Sequence, residues 1–282
     1  MDVNEMFAGE RARQLAYAAE AQERAGQREA LLRTRVASGE MRDLGGGRFE
    51  VLSGYDRGEI FRTSPQGLLI PQHGLDMTTG QAALATRVPF WHSAGNLIAE
   101  GVTDIDEVMK AGGIAWGVEQ VPATYDRPAF YDRDGHYLSP SVQEIPGKFA
   151  NLRDDIFAPL GIVGNRYVPF QNRSAFEFLE DMCGKLGLTW ETAGALGIGS
   201  KVFVTVELPE SVIIDPSGIA DEVRIFLAVV NSHDGSSPVT GLVTPWRIGC
   251  GNTERFAFRD AVYKWTCRHT SGAPERYEEA RR

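Results

Sequence analysis

The chain has 282 residues, 43% hydrophobic and 24% charged, with 29 Lys and Arg against 38 Asp and Glu for a net charge of -9. A chain of this size and make-up can bury a core without disulfide or metal staples, and its composition excludes collagen-like, disordered and disulfide-scaffold classes. Net acidity also excludes a protein coated all over with cations for phosphate backbones.

The start of the chain, Met1-Asp2-Val3-Asn4-Glu5, is acidic and is not followed by an apolar run, so neither a secretory signal nor a membrane span is expected. Cys183, Cys250 and Cys267 form no C-x-x-C pair, and no zinc site or other cofactor is expected. Residues 1–38 are rich in Ala, Glu, Gln, Arg and Leu and predict one long helix, interrupted only by Gly9 and Gly26. Its apolar residues are too thin for a sustained seam, and residues 1–48 carry eight cations and eight anions. Two readings stay open there: a helix packed loosely on its own domain, or an arm for self-association or partner docking.

The composition changes at Gly45-Gly46-Gly47, which places a helical arm and linker over 1–44 and a single domain over 45–282. Thr103-Asp104 and the acids after it predict a helix closed by Gly112-Gly113. Trp116–Val121 alternates as a strand, and Ala129–Leu138 reads as a hairpin around Asp134-Gly135. Leu160–Val163 and Arg166–Phe170 read as a hairpin about Gly164-Asn165, followed by a helix capped by Ser174. Strands are then expected at 189–195, 201–208, 222–230 and 239–248, and a last helix over Glu254–Thr270. The expected fold class is α+β: an antiparallel sheet with helices covering one face, preceded by the long N-terminal helix.

Three constellations carry candidate chemistry. Asn231-Ser232-His233-Asp234-Gly235-Ser236 joins two apolar strands, and it suits either an ordinary polar hairpin loop or a ligand loop built on Asn231, His233 and Asp234. Arg247 to Thr253 runs into the last helix, with Asn252 or Thr253 placed to cap it and to complete an anion site. Arg268-His269-Thr270 is expected to end that helix, where cations oppose the dipole in any protein. Residues 240–282 hold eight cations and five anions, against 13 and 25 in residues 49–239, so a basic C-terminal face sits on an acidic body. Trp91 and Trp246, with Tyr167 and Phe170 among the other aromatics, are candidate stacking faces beside Arg247, Arg255, Arg259, Arg268 and His269, the candidate nucleic-acid contacts. Catalysis is the weaker alternative: Cys250 with His269 and Asn252 matches the residue types of a thiol site. His73, His92, His233 and Asp234 could be assembled into a metal site, but neither set has diagnostic spacing.

Seven short motifs recur in order: Trp91-His92; Asn151 with Arg153-Asp154-Asp155; Leu160–Val163 with Tyr167 and Gln171-Asn172; Glu191-Thr192-Ala193-Gly194; Asn231–Ser236; Cys250 with Asn252-Thr253; and Arg268-His269-Thr270. Together they resemble the phage/plasmid-like protein family, a domain of unknown function carried by bacteriophages and plasmids, over about residues 87–280. The chain departs from the family pattern at Ser93-Ala94, where that pattern has Gly-Leu, and at Gly251, where it has Gln. The resemblance implies a mobile-element origin and a setting in the host cytoplasm, and it assigns no catalytic residues. The expected function is a non-enzymatic accessory protein that binds nucleic acid, single-stranded DNA in particular, in replication or recombination. The alternatives are an interaction protein that oligomerises or docks through residues 1–38 and, behind it, a hydrolase or nuclease.

Overall fold

The computed structural model describes residues 26, 29–53, 60–63, 69–71, 74–79, 82–88, 96–214 and 221–280. Its centre is a seven-stranded sheet in the order β16 (Tyr263–Cys267), β15 (Val239–Thr244), β14 (Asp221–Ser232), β13 (Lys201–Ile214), β12 (Thr189–Leu196), β5 (Leu84–Thr86) and β6 (Asn96–Leu97). All its pairs are antiparallel except β5 with β6. A second sheet pairs β11 (Pro159–Gly164), β10 (Ser141–Arg153) and β7 (Val118–Arg127). At the far end of β7 and β10, β8 (Phe130–Tyr131) and β9 (Tyr137–Leu138) close a small hairpin. The N-terminal strands β1 (Met41–Gly45), β2 (Arg48–Val51), β3 (Ile60–Thr63) and β4 (Leu69–Pro71) form a separate meander.

Strand alternation divides the core between the two faces of the central sheet. Ala193, Ala195, Val202, Val204, Val206 and Val229 face one side. There they pack against α2 (Ile105–Ala111), α3 (Asn172–Leu186) and α5 (Ala273–Ala280) through Ile105, Val108, Phe176, Leu179 and Tyr277. The intervening residues Leu196, Phe203, Ala228, Val230 and Leu242 face the other side, where Ala257 of α4 (Gly251–Arg259) meets them. In α2 the Asp104 carboxylate caps Asp106 N at 2.7 Å, and Gly112 closes the helix. The α3 helix buries Ala175, Phe176, Leu179 and Cys183 along one stripe and ends at Gly187, whose φ of 66° needs no Cβ.

The expected fold class is therefore corrected. Among the described residues 44% lie in strands and 21% in helices, so the protein is mostly β, with several sheets. Helices cover both faces of the central sheet rather than one. No long N-terminal helix is present among the described residues: the helical stretch α1 covers 29–37, and residues 1–25 lie outside them. No described helix is long and apolar enough to cross a membrane.

Two local expectations also fail for physical reasons. The segment 254–270 is not one helix; α4 stops at Arg259, and Tyr263–Cys267 adds to the edge of the sheet beside β15. Val262, Tyr263, Trp265 and Thr266 are β-branched or aromatic, and the open edge of β15 gives their backbone groups partners that a helix would otherwise supply. Arg166–Phe170 is not a strand, because β11 pairs instead with β10, the strand just before it in the chain.

Candidate functional site

The polar residues of the central loops meet in one buried network between the two larger sheets and the start of α3. Asn172, the first residue of α3, donates from Nδ2 to the carbonyls of Ile114 and Trp116 at 3.0 and 3.1 Å. Its Oδ1 is thereby left to accept, so His233, 2.7 Å away, must donate from Nε2. Asn231 repeats the arrangement: its Nδ2 donates to Phe170 O at 2.8 Å, and its Oδ1 accepts from His269 Nε2 at 2.9 Å. His269 lies flat against Tyr167, centroids 4.7 Å apart, and the Tyr167 hydroxyl donates to Ser232 O at 2.8 Å.

The second sheet, the three-stranded ribbon β11-β10-β7, is tied to the same loop. Asn151 of β10 donates to His233 O at 2.7 Å and accepts from Gln120 Nε2 at 3.2 Å. At Gly161 of β11 an added Cβ would lie 2.6 Å from Asp234 Cα, so glycine lets the strand touch the loop backbone. Asp234 is half-buried and turns the loop, accepting from Ser232 Oγ at 2.6 Å and Ser236 N at 2.8 Å.

Beneath this lies a fully buried cation. Arg153 forks onto Asp155, Nε and Nη2 donating at 2.9 and 2.7 Å, and its Nη1 donates to Asp76, Thr78 Oγ1 and Ile198 O. Its guanidinium covers the Trp116 ring at 4.4 Å, and His233 tilts against Trp116 at 5.5 Å.

Electrostatics fix the protonation states. Burial pushes His233 down to about 3, helped by His269 and Arg153 and opposed by Asp234. Burial likewise pushes His269 down to about 4 against the pull of Asp234. Burial raises the Tyr167 phenol further. Burial acts to raise Asp234, but the hydroxyls of Ser232 and Ser236 and the charge of Lys201 hold it below the ordinary carboxylate range. Near neutrality the network thus holds two neutral imidazoles and a protonated phenol. None of these is poised to exchange a proton at that pH.

The second polar region is separate. Buried Glu191 accepts from Arg87 and from Arg247, at 2.7 and 2.6 Å, and Arg247 also donates to Val88 O at 2.7 Å. Cys250 is the N-cap of α4, where Thr253 Oγ1 accepts from Cys250 N at 3.0 Å.

The expected site residues therefore divide. Asn231, His233, Asp234 and His269 converge. Asn252 and Thr253 stand at the start of α4, and their link to the loop runs through Glu254, whose Oε1 accepts from Lys201 Nζ at 3.0 Å. Arg247 is held by Glu191, and Arg259 by Asp260 at 2.7 and 2.8 Å. Trp246 donates to Asp260 at 2.6 Å and lies against Phe256. Arg255 and Arg268 are exposed. Trp91, with His73 and His92 of the suggested metal set, lies outside the described residues. Cys250 and His269 engage different partners, and no thiol–imidazole pair is formed among the described residues. Sequence reasoning about sites overlooked Asn151, Arg153 and Asn172; the ordered motifs contained all three.

The exposed loop 132–136 brings carboxylate and imidazole ligand atoms of Asp132, Asp134 and His136 within 4.8 Å of one another. The Asp132 carboxylate there is engaged in closing the hairpin, accepting from Asp134 N and His136 N at 2.9 and 2.8 Å.

The family described as Domain of unknown function (DUF932) matches residues 159–282. That span runs from β11 to the C-terminal residues and includes Tyr167, Asn172, Asn231, His233 and His269, whereas Asn151 and Arg153 precede it. No curated protein and no solved structure matches the chain.

Proposed function

We propose that this chain is a non-enzymatic accessory protein of a mobile element, phage or plasmid, that acts in the host cytoplasm by binding single-stranded nucleic acid during replication or recombination. The mobile-element part rests on the ordered motifs from Trp91 to Thr270. Catalysis is disfavoured by the network above, in which His233 and His269 are buried and neutral, each donating from Nε2 to an Asn side chain, and by the use of Cys250 as a helix cap.

The observation that carries the binding reading is the outer surface of α4 and β16. Arg255, Lys264 and Arg268 are exposed there, and among the described residues none of them has a carboxylate partner. The nearby acids are already engaged: Glu254 by Lys201, and Asp260 by Arg259 and Trp246. Phe256, 37% exposed, adds an aromatic edge next to Arg255, and Tyr263, 63% exposed, alternates to the opposite face of β16 from Lys264. Cations that follow a strand edge, interleaved with exposed rings, suit a flexible polyanion whose bases can stack. Arg247 and Trp246 drop out of this surface because their polar groups are engaged within the protein.

An oligothymidylate titration at increasing salt tests the reading. Binding should weaken as salt rises, and R255A/K264A/R268A should flatten the log–log slope by about 2, at about 0.7 per lost phosphate contact on a single strand. No binding at low salt, or an unchanged slope in the triple variant, overturns it.

A further inference from the structure

β7 is the outer strand of its sheet, and among the described residues no strand pairs with its free edge. The direction of its backbone groups is fixed at one end. Gly117 O accepts from Asp154 N on the ribbon side, whereas Val118 N and O are bonded from outside the sheet by the Gln171 amide at 2.9 and 3.0 Å. β7 runs unbroken from Val118 to Arg127 although its register with β10 shifts between Pro122 and Thr124, so alternation along it turns the N–H and C=O groups of Gln120, Thr124 and Asp126 outward, with the C=O of Pro122. Such an unpaired row is a template for another strand.

We propose that this edge binds a second copy of the chain, the two β7 strands pairing antiparallel about a twofold axis at Ala123 to join two three-stranded sheets into one. The register follows from the ends of the edge. Gln171 closes Val118 on one side, and Pro128 ends the strand on the other, so the open edge runs from Glu119 to Arg127. Self-pairing that uses all of it centres on Ala123. Val118, already bonded, then faces Pro128, which has no N–H to place.

Charge gives an independent check on that register. Glu119 of one copy faces Arg127 of the other, and the twofold axis repeats the pair at both ends. Val121 faces Tyr125, which is 50% exposed in the single chain. A shift of two residues in either direction sets Glu119 against Tyr125 or Ala129 and leaves both charges without an opposite. Directly opposed unlike charges favour a register, and like charges disfavour it. Pro122 removes one donor from each strand, as proline does at sheet edges, so the backbone ladder is incomplete and the end charges gain weight in choosing the register.

Light scattering on the full chain tests the proposal. The wild type should have twice the 31.0 kDa chain mass, and deletion of residues 1–38 should leave it dimeric. Glu119→Arg and Arg127→Glu should each give the single-chain mass, because each sets like charges opposite at both ends. E119R/R127E should restore the dimer by exchanging the pair. Ala123→Cys, on the axis, should crosslink to itself under oxidation; if the double variant loses its native circular dichroism, this crosslink decides. A monomeric wild type, a dimeric Glu119→Arg chain, a well-folded but monomeric double variant, loss of the dimer on deleting 1–38, or no crosslink in the Ala123→Cys variant overturns the proposal.

Discussion

Asn172 opens α3 and His233 opens the loop after β14, yet the imidazole Nε2 donates to the amide Oδ1 at 2.7 Å, with both residues buried. The contact joins a helix start to a loop 61 residues later, and Asn151 ties the same loop to the ribbon. His233 Nδ1 is buried and has no hydrogen-bond partner among the described residues, so the ring uses its one donor on Asn172. Burial is the main reason His233 resists protonation, reinforced by His269 and Arg153 and only partly offset by Asp234.

Asn172→Ala should destabilise the fold strongly. It removes the acceptor for His233 Nε2 and the donor to Ile114 O and Trp116 O. Each buried polar group left unpaired costs about 1–3 kcal/mol, so a loss of about 3 kcal/mol is expected by urea unfolding. H233A should cost less in the N172A background than alone, since the two share a bond. Additive losses would show that the bond contributes nothing.

Acid should destabilise the protein in the window where histidine titrates. His233 and His269 fall from 6.5 to about 3 and about 4 in the folded state. The unfolded chain therefore takes up protons first, and stability that is full above about 6.5 is lost as pH falls towards 4 and below. A melting temperature measured from pH 7.5 to pH 4 should drop continuously, and H269N should flatten the curve. A flat wild-type curve would place both rings in contact with water.

Much of the central sheet is legible in the sequence, because Lys201–Leu208 alternates, Glu222–Val230 ends in an unbroken apolar run, and both border polar turns. The site is half legible. Asn231, His233 and Asp234 stand out as a polar cluster at a strand end, but Asn172 and Asn151 look like ordinary polar positions on a helix and a strand. Their importance comes from contacts 61 and 82 residues away, which no local pattern encodes. The segment after α4 misleads because Ala257, Ala261 and Trp265 keep helical spacing while the sheet edge offers β pairing, and the tertiary edge wins.

Gly241→Ala should disturb the edge of the sheet. Gly241 of β15 faces Trp265 of β16, and an added Cβ would sit on the Trp265 indole. The ring also packs against Phe178 and Tyr277, so it has little room to withdraw. Overpacking of this kind costs about 1–3 kcal/mol. The expected results are a lower thermal midpoint and a changed Trp fluorescence maximum. An unchanged midpoint would mean that β16 shifts freely.

Arg153→Ala should be among the most damaging single changes. Asp76 is 2% exposed and depends on Arg153 Nη1 for its charged partner, and Trp116 loses the cation stacked on its ring. Removing one partner of a buried ion pair costs about 3–5 kcal/mol, chiefly because the other charge is left uncompensated. That cause separates charge from packing. If the stranded carboxylate is responsible, D76A/R153A should be more stable than R153A alone, despite deleting more atoms. R153K should fall between wild type and R153A, because lysine supplies the charge without the fork that Asp155 accepts at two oxygens. A double variant no more stable than R153A would assign the loss to packing around Trp116 instead.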